Sequence, residues 1–151
     1  ERDYEKADIY ISRLVDAFPN HPYFIFLKAE LLAKTLKFKE LENIGVLLNK
    51  FVSQGSMIDR RECKLKYNYI LSIQDFYKGK YSEALVKTDF ILKNYTMEFD
   101  WLLGFTHFLR AEIYEMMGDF KKAELNYKKV LEMDTYYPEV ELAKESLLNL
   151  Y

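Results

Sequence analysis

Few side chains in this sequence are of the types that most often carry catalysis or hold a metal. Histidine occurs twice, as His21 and His107, and cysteine once, as Cys63. The histidines are 86 residues apart and stand in no Ser-His-Asp, Cys-His or metal-ligand spacing, so we interpret them as a junction residue and a packed helix residue. No glycine-rich phosphate loop accompanies them. We therefore expect no catalytic residue, no metal site and no cofactor, and the protein is predicted not to be an enzyme.

Charged residues are numerous, but their order is typical of solvated helix faces. Carboxylates alternate with lysines in "EKAD", "KFKELE" and "KKAE". The formal net charge of −2 gives no general basic surface, so nucleic acid is not expected as a partner. One basic segment stands out, "DRRECKLK" at residues 59–66. Its cations either lower the pKa of the Cys63 thiol or leave it an ordinary half-buried thiol. The segment either meets an anionic partner or a neighbouring acidic repeat, or it is an ordinary solvated turn.

The composition is that of a soluble globular domain. The 151 residues are 50% hydrophobic and 30% charged, which is enough for one substantial core. No apolar run reaches about 18 residues, so no membrane insertion is expected. The lone cysteine favours a reducing compartment such as the cytoplasm. Because residue 1 is not methionine, we expect a piece of a longer protein, in which an upstream targeting signal would not be visible here.

Helices must position whatever function the chain has, because turn residues are scarce. The sequence holds only five glycines and three prolines. The opening stretch "ERDYEKADIYISRLVDAFPNHP" places Tyr4, Ala7, Ile11 and Leu14 at helical spacing and then meets Pro19. It therefore predicts a single amphipathic helix at the start of the chain.

The same pattern recurs along the chain. An aromatic residue stands three positions before Ala or Leu at Tyr4, Phe38, Tyr81 and Phe120, at intervals of 34, 43 and 39 residues. Amphipathic stretches at 22–36, 60–78 and 100–117 precede the last three of these helices, and each has a small residue near its middle: Ala29, Ser72 and Ala111. Small residues on facing helices let the two axes approach closely. The predicted fold is all-α, a superhelical solenoid of antiparallel helix pairs with about three and a half repeats.

One unit carries a family resemblance. The segment "FLRAEIYEMMGDFKKAELNYKKVLEMD", residues 108–134, resembles a tetratricopeptide repeat. Its residues on the positions that the family fills with small, aromatic and glycine side chains are Ala111, Tyr114, Gly118, Phe120, Ala123 and Tyr127. The unit at 65–98 keeps Ser72, Gly79, Tyr81 and Ala84 but has Asp75 and Thr88 where aromatics are usual. The unit at 22–52 keeps Ala29 and Phe38 but has Leu36 for glycine and Leu41 for alanine.

The resemblance covers the whole chain and implies one helical repeat domain over residues 1–151. Residues 1–19 resemble the second helix of a truncated repeat whose first helix precedes the chain. Repeats follow at 22–52, 60–95 and 100–135, and residues 138–151 resemble a terminal helix. Exposed repeat ends would permit self-association, and the residues expected there are Ile11, Leu14, Val15, Leu147, Leu148 and Leu150.

In this family the concave surface, lined by the first helices, binds peptides or partner proteins. The resemblance therefore implies a protein-interaction module, with an aromatic face that also carries a few charges. The residues that would face the groove are Tyr23, Phe26, Glu30, Lys66, Tyr69, Ile73, Phe105, Phe108 and Glu112. Phe26, Tyr69 and Phe108 replace the cations with which some members hold carboxylate tails of chaperones, so we expect no such binding.

The sequence leaves two questions open, one about the aromatic rings and one about the whole chain. The rings either form a groove for an apolar or aromatic peptide segment, or for another part of the same longer protein, or they merely fill a tight groove or pack on the next repeat. The chain as a whole is either an independent binding module or a structural or regulatory arm that packs on a neighbouring domain and has no ligand of its own.

Overall fold

The computed structural model describes residues 3–54, 57–96, 100–133 and 137–151, and the regular structure within these ranges is helical throughout. Each helix coincides with a predicted one to within a few residues, which confirms the all-α fold. In the described ranges the helices are α1 (Tyr4–Ala17), α2 (Pro22–Lys34), α3 (Phe38–Ser53), α4 (Met57–Tyr77), α5 (Tyr81–Asn94), α6 (Asp100–Met116), α7 (Phe120–Val130) and α8 (Pro138–Asn149). The predicted end of the last repeat at residue 135 lies outside the described residues.

The chain forms two compact units, Glu1–Lys78 and Gly79–Tyr151. In the first unit α2 packs against α1, α3 and α4, and α3 also packs against α4. In the second unit α6 packs against α5, α7 and α8, and α7 also packs against α8. Within the first unit α2 and α3 pack as the helix pair predicted at residues 22–52, and within the second unit α6 and α7 pack as the pair predicted at residues 100–135. The helices of the pair predicted at residues 60–95, α4 and α5, belong to different units. The arrangement of all residues as one repeat domain stays a prediction.

Three helices end in the same left-handed turn. Each of α2, α4 and α6 is followed by a capping residue and then by a residue of positive φ: Leu36 at 61°, Gly79 at 73° and Gly118 at 77°. The next residue begins the following helix with nearly the same backbone angles each time, φ −84° and ψ 56° at Lys37, −89° and 64° at Lys80, and −90° and 72° at Asp119.

Hydrogen bonds close two of these turns identically. The Gly118 N–H donates to the Glu115 carbonyl at 3.0 Å, and the Asp119 N–H donates to the Tyr114 carbonyl at 2.9 Å. The corresponding N–H groups of Leu36 and Lys37 donate at 3.2 and 2.9 Å to carbonyls at the same offsets within α2. This is the hydrogen-bond pattern of the Schellman motif, which favours glycine at the left-handed position. Leu36 therefore adopts the backbone of the glycine that it replaces.

Small residues lie at the helix contacts, as the sequence predicts. Ala29, Ser72, Ala84, Ala111 and Ala123 are completely buried. In the second unit Ala111 of α6 and Ala123 of α7 belong to one apolar cluster, which also contains residues of α8. Neither position has room for a larger side chain unless the helices move apart.

The first helix begins as α7 does. Asp3 caps α1 by accepting a hydrogen bond from the Lys6 N–H at 3.0 Å, and Asp119 caps α7 by accepting one from the Lys122 N–H at 3.2 Å. Each carboxylate also forms an ion pair with the side chain of the same lysine, at 3.0 and 2.8 Å. The hydrogen bonds to Lys6 lower the pKa of Asp3, and those to Lys122 lower the pKa of Asp119. The two helices therefore share one type of N-cap, and the assignment of α1 as the second helix of a truncated repeat stays a prediction.

Candidate functional site

The site begins where α2 and α4 pack in the first unit. This packing brings together side chains some 40 residues apart in sequence: Tyr23 and Phe26 from α2 and Lys66 from α4. The Lys66 Nζ lies 5.3 Å from the centroid of the Tyr23 ring and 6.0 Å from that of the Phe26 ring, within the range of cation–π attraction. It also lies 2.7 Å from Oε1 of Glu62, one turn earlier on α4. We call Tyr23, Phe26, Glu62 and Lys66 the α2–α4 face.

The predicted groove residues of this unit differ widely in exposure. Phe26, Tyr69 and Ile73 are buried, so they fill the space between helices. Tyr23 is 51% exposed, whereas Lys66 and Glu30 are half-buried, and Glu30 holds Lys34 in an ion pair at 2.6 Å. A partner would therefore meet the Tyr23 ring and its covering lysine first.

The three remaining predicted groove residues, all half-buried, lie on α6 in the second unit. The Phe105 ring meets that of Tyr137 edge to face, with centroids 5.3 Å apart, and the Phe108 ring meets that of Tyr127 at 5.7 Å. Glu112 lies near the Tyr127 hydroxyl, which donates to Glu115 Oε2 at 2.8 Å. Burial, together with these two carboxylates, raises the pKa of Tyr127. These rings are thus committed to contacts within the unit.

His107 is a packed helix residue in the second unit, in line with its interpretation from the sequence. Its Nδ1 lies 2.8 Å from Asn126 Oδ1, while Asn126 Nδ2 donates to the Lys122 carbonyl at 2.9 Å. Because the amide oxygen is the acceptor in this pair, Nδ1 carries the hydrogen. Burial lowers the pKa of His107, and the neighbouring cations of Arg110 and Lys129 act in the same direction.

The remaining residues that the sequence suggested for chemistry, His21, Cys63 and the basic segment at 59–66, form no common site within the described ranges. His21 is exposed beside Phe24, with ring centroids 4.6 Å apart, and Cys63 is buried. Arg60 and Arg61 are exposed, and the side chain of Asp59 lies outside the described residues. Within the described ranges no three His, Cys, Asp or Glu side chains are grouped so as to hold a metal ion. Nor is any helix in those ranges long and apolar enough to cross a membrane.

An ionic cluster joins α1 to α2, and the sequence analysis did not predict it. The Lys28 Nζ donates to Asp8 Oδ1 and, at 3.0 Å, to Ser12 Oγ. Lys37, which caps α3, approaches the other oxygen of Asp8 at 3.7 Å. The hydrogen bond from Lys28 is the main cause of a lowered pKa at Asp8. Only the packing of the helices selects this partner for Asp8 among the many lysines of the sequence.

A groove between α3 and α4 was also missed. Its volume is about 290 Å³, and its walls include Leu41, Leu48, Leu71 and the backbone of Gly45. Glu42, Asn49 and Gln74 add polar groups. The available sequence signal was Gly45, because a glycine inside a helical pattern costs stability relative to alanine.

One residue expected at an exposed repeat end lies elsewhere. Leu150 is buried in the apolar cluster with Ala143, so the expectation that it is exposed is wrong. Leu148 is 85% exposed, Leu147 packs partly on the cluster, and the apolar residues of α1 that were expected at the other end are half-buried.

Comparison of the chain with models of protein families, with curated protein sequences and with solved structures finds no match. The likeness to tetratricopeptide repeats therefore rests on the residues of this chain alone.

Proposed function

We propose that the protein is a tetratricopeptide-like interaction module whose α2–α4 face binds a segment of a partner protein. The observation that carries the proposal is the exposed Tyr23 ring of α2 beneath Lys66 of α4. We take these two helices as the predicted first helices of successive repeats. Tyrosine is one of the residue types that contribute most to binding energy at protein interfaces. The recurrent left-handed turns after α2, α4 and α6 support the repeat interpretation.

The charges of this face favour an apolar or aromatic segment over an acidic tail. Lys66 is already neutralised by Glu62 at 2.7 Å, and Glu30 holds Lys34 nearby on α2. An incoming carboxylate would have to displace an intramolecular carboxylate from Lys66, which offsets most of its attraction. We therefore expect binding through ring contacts, with an affinity that depends little on salt.

Site-specific photo-crosslinking in the full-length protein tests the proposal. A photoreactive phenylalanine analogue replaces Tyr23 in one variant and Tyr10 in a matched control, because Tyr10 lies on α1 of the same unit and is 63% exposed. We expect a discrete crosslinked product from position 23 and none from position 10.

The same experiment distinguishes an independent binding module from a structural or regulatory arm that packs on a neighbouring domain. Crosslinks from position 23 that fall only within the full-length protein itself would instead support a structural or regulatory arm. Equal products from positions 23 and 10, or none from either, would contradict a binding role for the α2–α4 face.

A further inference from the structure

We infer that the groove between α3 and α4 is a second docking site, for an amphipathic helix of a partner that carries a lysine or arginine beside an aliphatic side chain. The inference does not depend on the proposed function. The groove faces another side of α4, lined by Tyr67, Leu71 and Gln74, whereas the α2–α4 face uses Lys66.

The dimensions of the groove suit a short helix. It follows α3 from Leu41 to Asn49, and eight residues at 1.5 Å each give about 12 Å, or roughly two helical turns. This is the span of the successive anchors with which an amphipathic helix occupies a groove.

Gly45 indicates where the partner backbone would cross. Its φ is not positive, and a Cβ built on it meets nothing within 4 Å, so neither the turn geometry nor crowding requires glycine there. Glycine inside a helix is less favourable than alanine by roughly 0.5–1 kcal/mol. A helix crossing at Gly45 would use the missing side chain to come close to α3. Val46, which is 80% exposed, would then be covered at the edge of the crossing.

The carboxylate of Glu42 indicates the charge of the partner that the groove would bind. Glu42 is the one charged side chain among the described residues that line it, and it forms no ion pair within the described ranges. Leu41 and Leu48 are buried beneath it, so the opening combines an apolar floor with one unpaired carboxylate. A basic side chain one turn from an aliphatic anchor complements this pattern, whereas an acidic helix would be repelled.

A displayed library of helical peptides, selected on the whole chain, is the probe. We expect enriched peptides to combine an aliphatic residue with lysine or arginine three or four positions away. Glu42→Lys should move the preference to aspartate or glutamate. Glu40→Lys, an exposed position on α3 outside the groove, should leave the preference unchanged.

Filling the groove is the second test. Gly45→Phe should weaken the enriched peptides at least tenfold while the helical circular dichroism is unchanged. Val46→Ser removes an exposed apolar side chain without adding charge, so this variant should fold normally and weaken binding even where Gly45→Phe fails to fold. Tyr23→Ala should have no effect, which keeps this site distinct from the α2–α4 face. Peptides without a basic preference, or peptides lost with Tyr23→Ala and retained with Val46→Ser, would overturn the inference.

Discussion

At the left-handed turn of Leu36 we expect glycine to stabilise the protein more than alanine, which is the reverse of their order inside a helix. Leu36 has φ 61° in a hydrogen-bonded turn that matches the turn at Gly118. A left-handed conformation costs an L-residue about 1–2 kcal/mol, whereas glycine costs about 0.5–1 kcal/mol in lost backbone freedom. We therefore expect Leu36→Gly to have a free energy of unfolding about 0.5–1 kcal/mol greater than that of Leu36→Ala.

The comparison of two variants isolates the backbone from the side chain. Leu36 is 56% exposed, and both variants lose the partial burial of its side chain beyond Cβ. Gly45 provides the control, because it lies inside α3 with negative φ and open space around its Cα, so Gly45→Ala should stabilise the protein by a similar amount. Urea denaturation followed by circular dichroism measures all three variants. A Leu36→Ala variant as stable as Leu36→Gly, or more stable, would refute the reasoning.

Three further predictions concern the second unit. The pKa of His107 is lowered in the folded state, so the contribution of its neutral form to stability is complete above the ordinary pKa near 6.5 and is lost as the pH falls below that value. His107→Gln keeps a donor for Asn126 but does not titrate, so in urea titrations this variant should lose less stability between pH 7 and 5. Arg110→Met should cost about 1–3 kcal/mol in thermal denaturation, because it removes the guanidinium that donates to the buried Thr88 hydroxyl at 2.8 Å; a neutral result would show that the bond contributes little. Ala111→Leu should cost about 1–3 kcal/mol by forcing α6 from α7, and unchanged stability in the same assay would show that this contact is loose.

The helices and their turns were predictable because their signals are local. Helical periodicity indicates a helix within its own residues, and Gly79 and Gly118 stand at the turns that need a left-handed residue. Pro22 and Pro138 begin α2 and α8, where the missing N–H removes no hydrogen bond. Leu36 did not carry such a signal, because leucine rarely adopts positive φ, and its turn was recovered only from the 34-residue interval to the opening helix.

The remaining features depend on the distance and rotation between helices, which periodicity does not specify. The predicted repeat places Lys66 and Tyr23 on the same face, but it does not predict that Ile73 is buried. The pairing of Asp8 with Lys28 requires the angle between α1 and α2. The groove at Gly45 depends on the spacing between α3 and α4, and a glycine in the sequence is compatible with either a close contact or an open space.

The affinity of the crosslinked partner for two tyrosine variants tests the central claim most directly. Titration calorimetry of the purified partner with the full-length protein should show that Tyr23→Ala weakens binding about tenfold or more, equivalent to about 1.4 kcal/mol. Tyr10→Ala, at a similarly exposed tyrosine of α1, should leave the dissociation constant unchanged. An unchanged dissociation constant for Tyr23→Ala, or an equal loss with both variants, would contradict partner binding at the α2–α4 face.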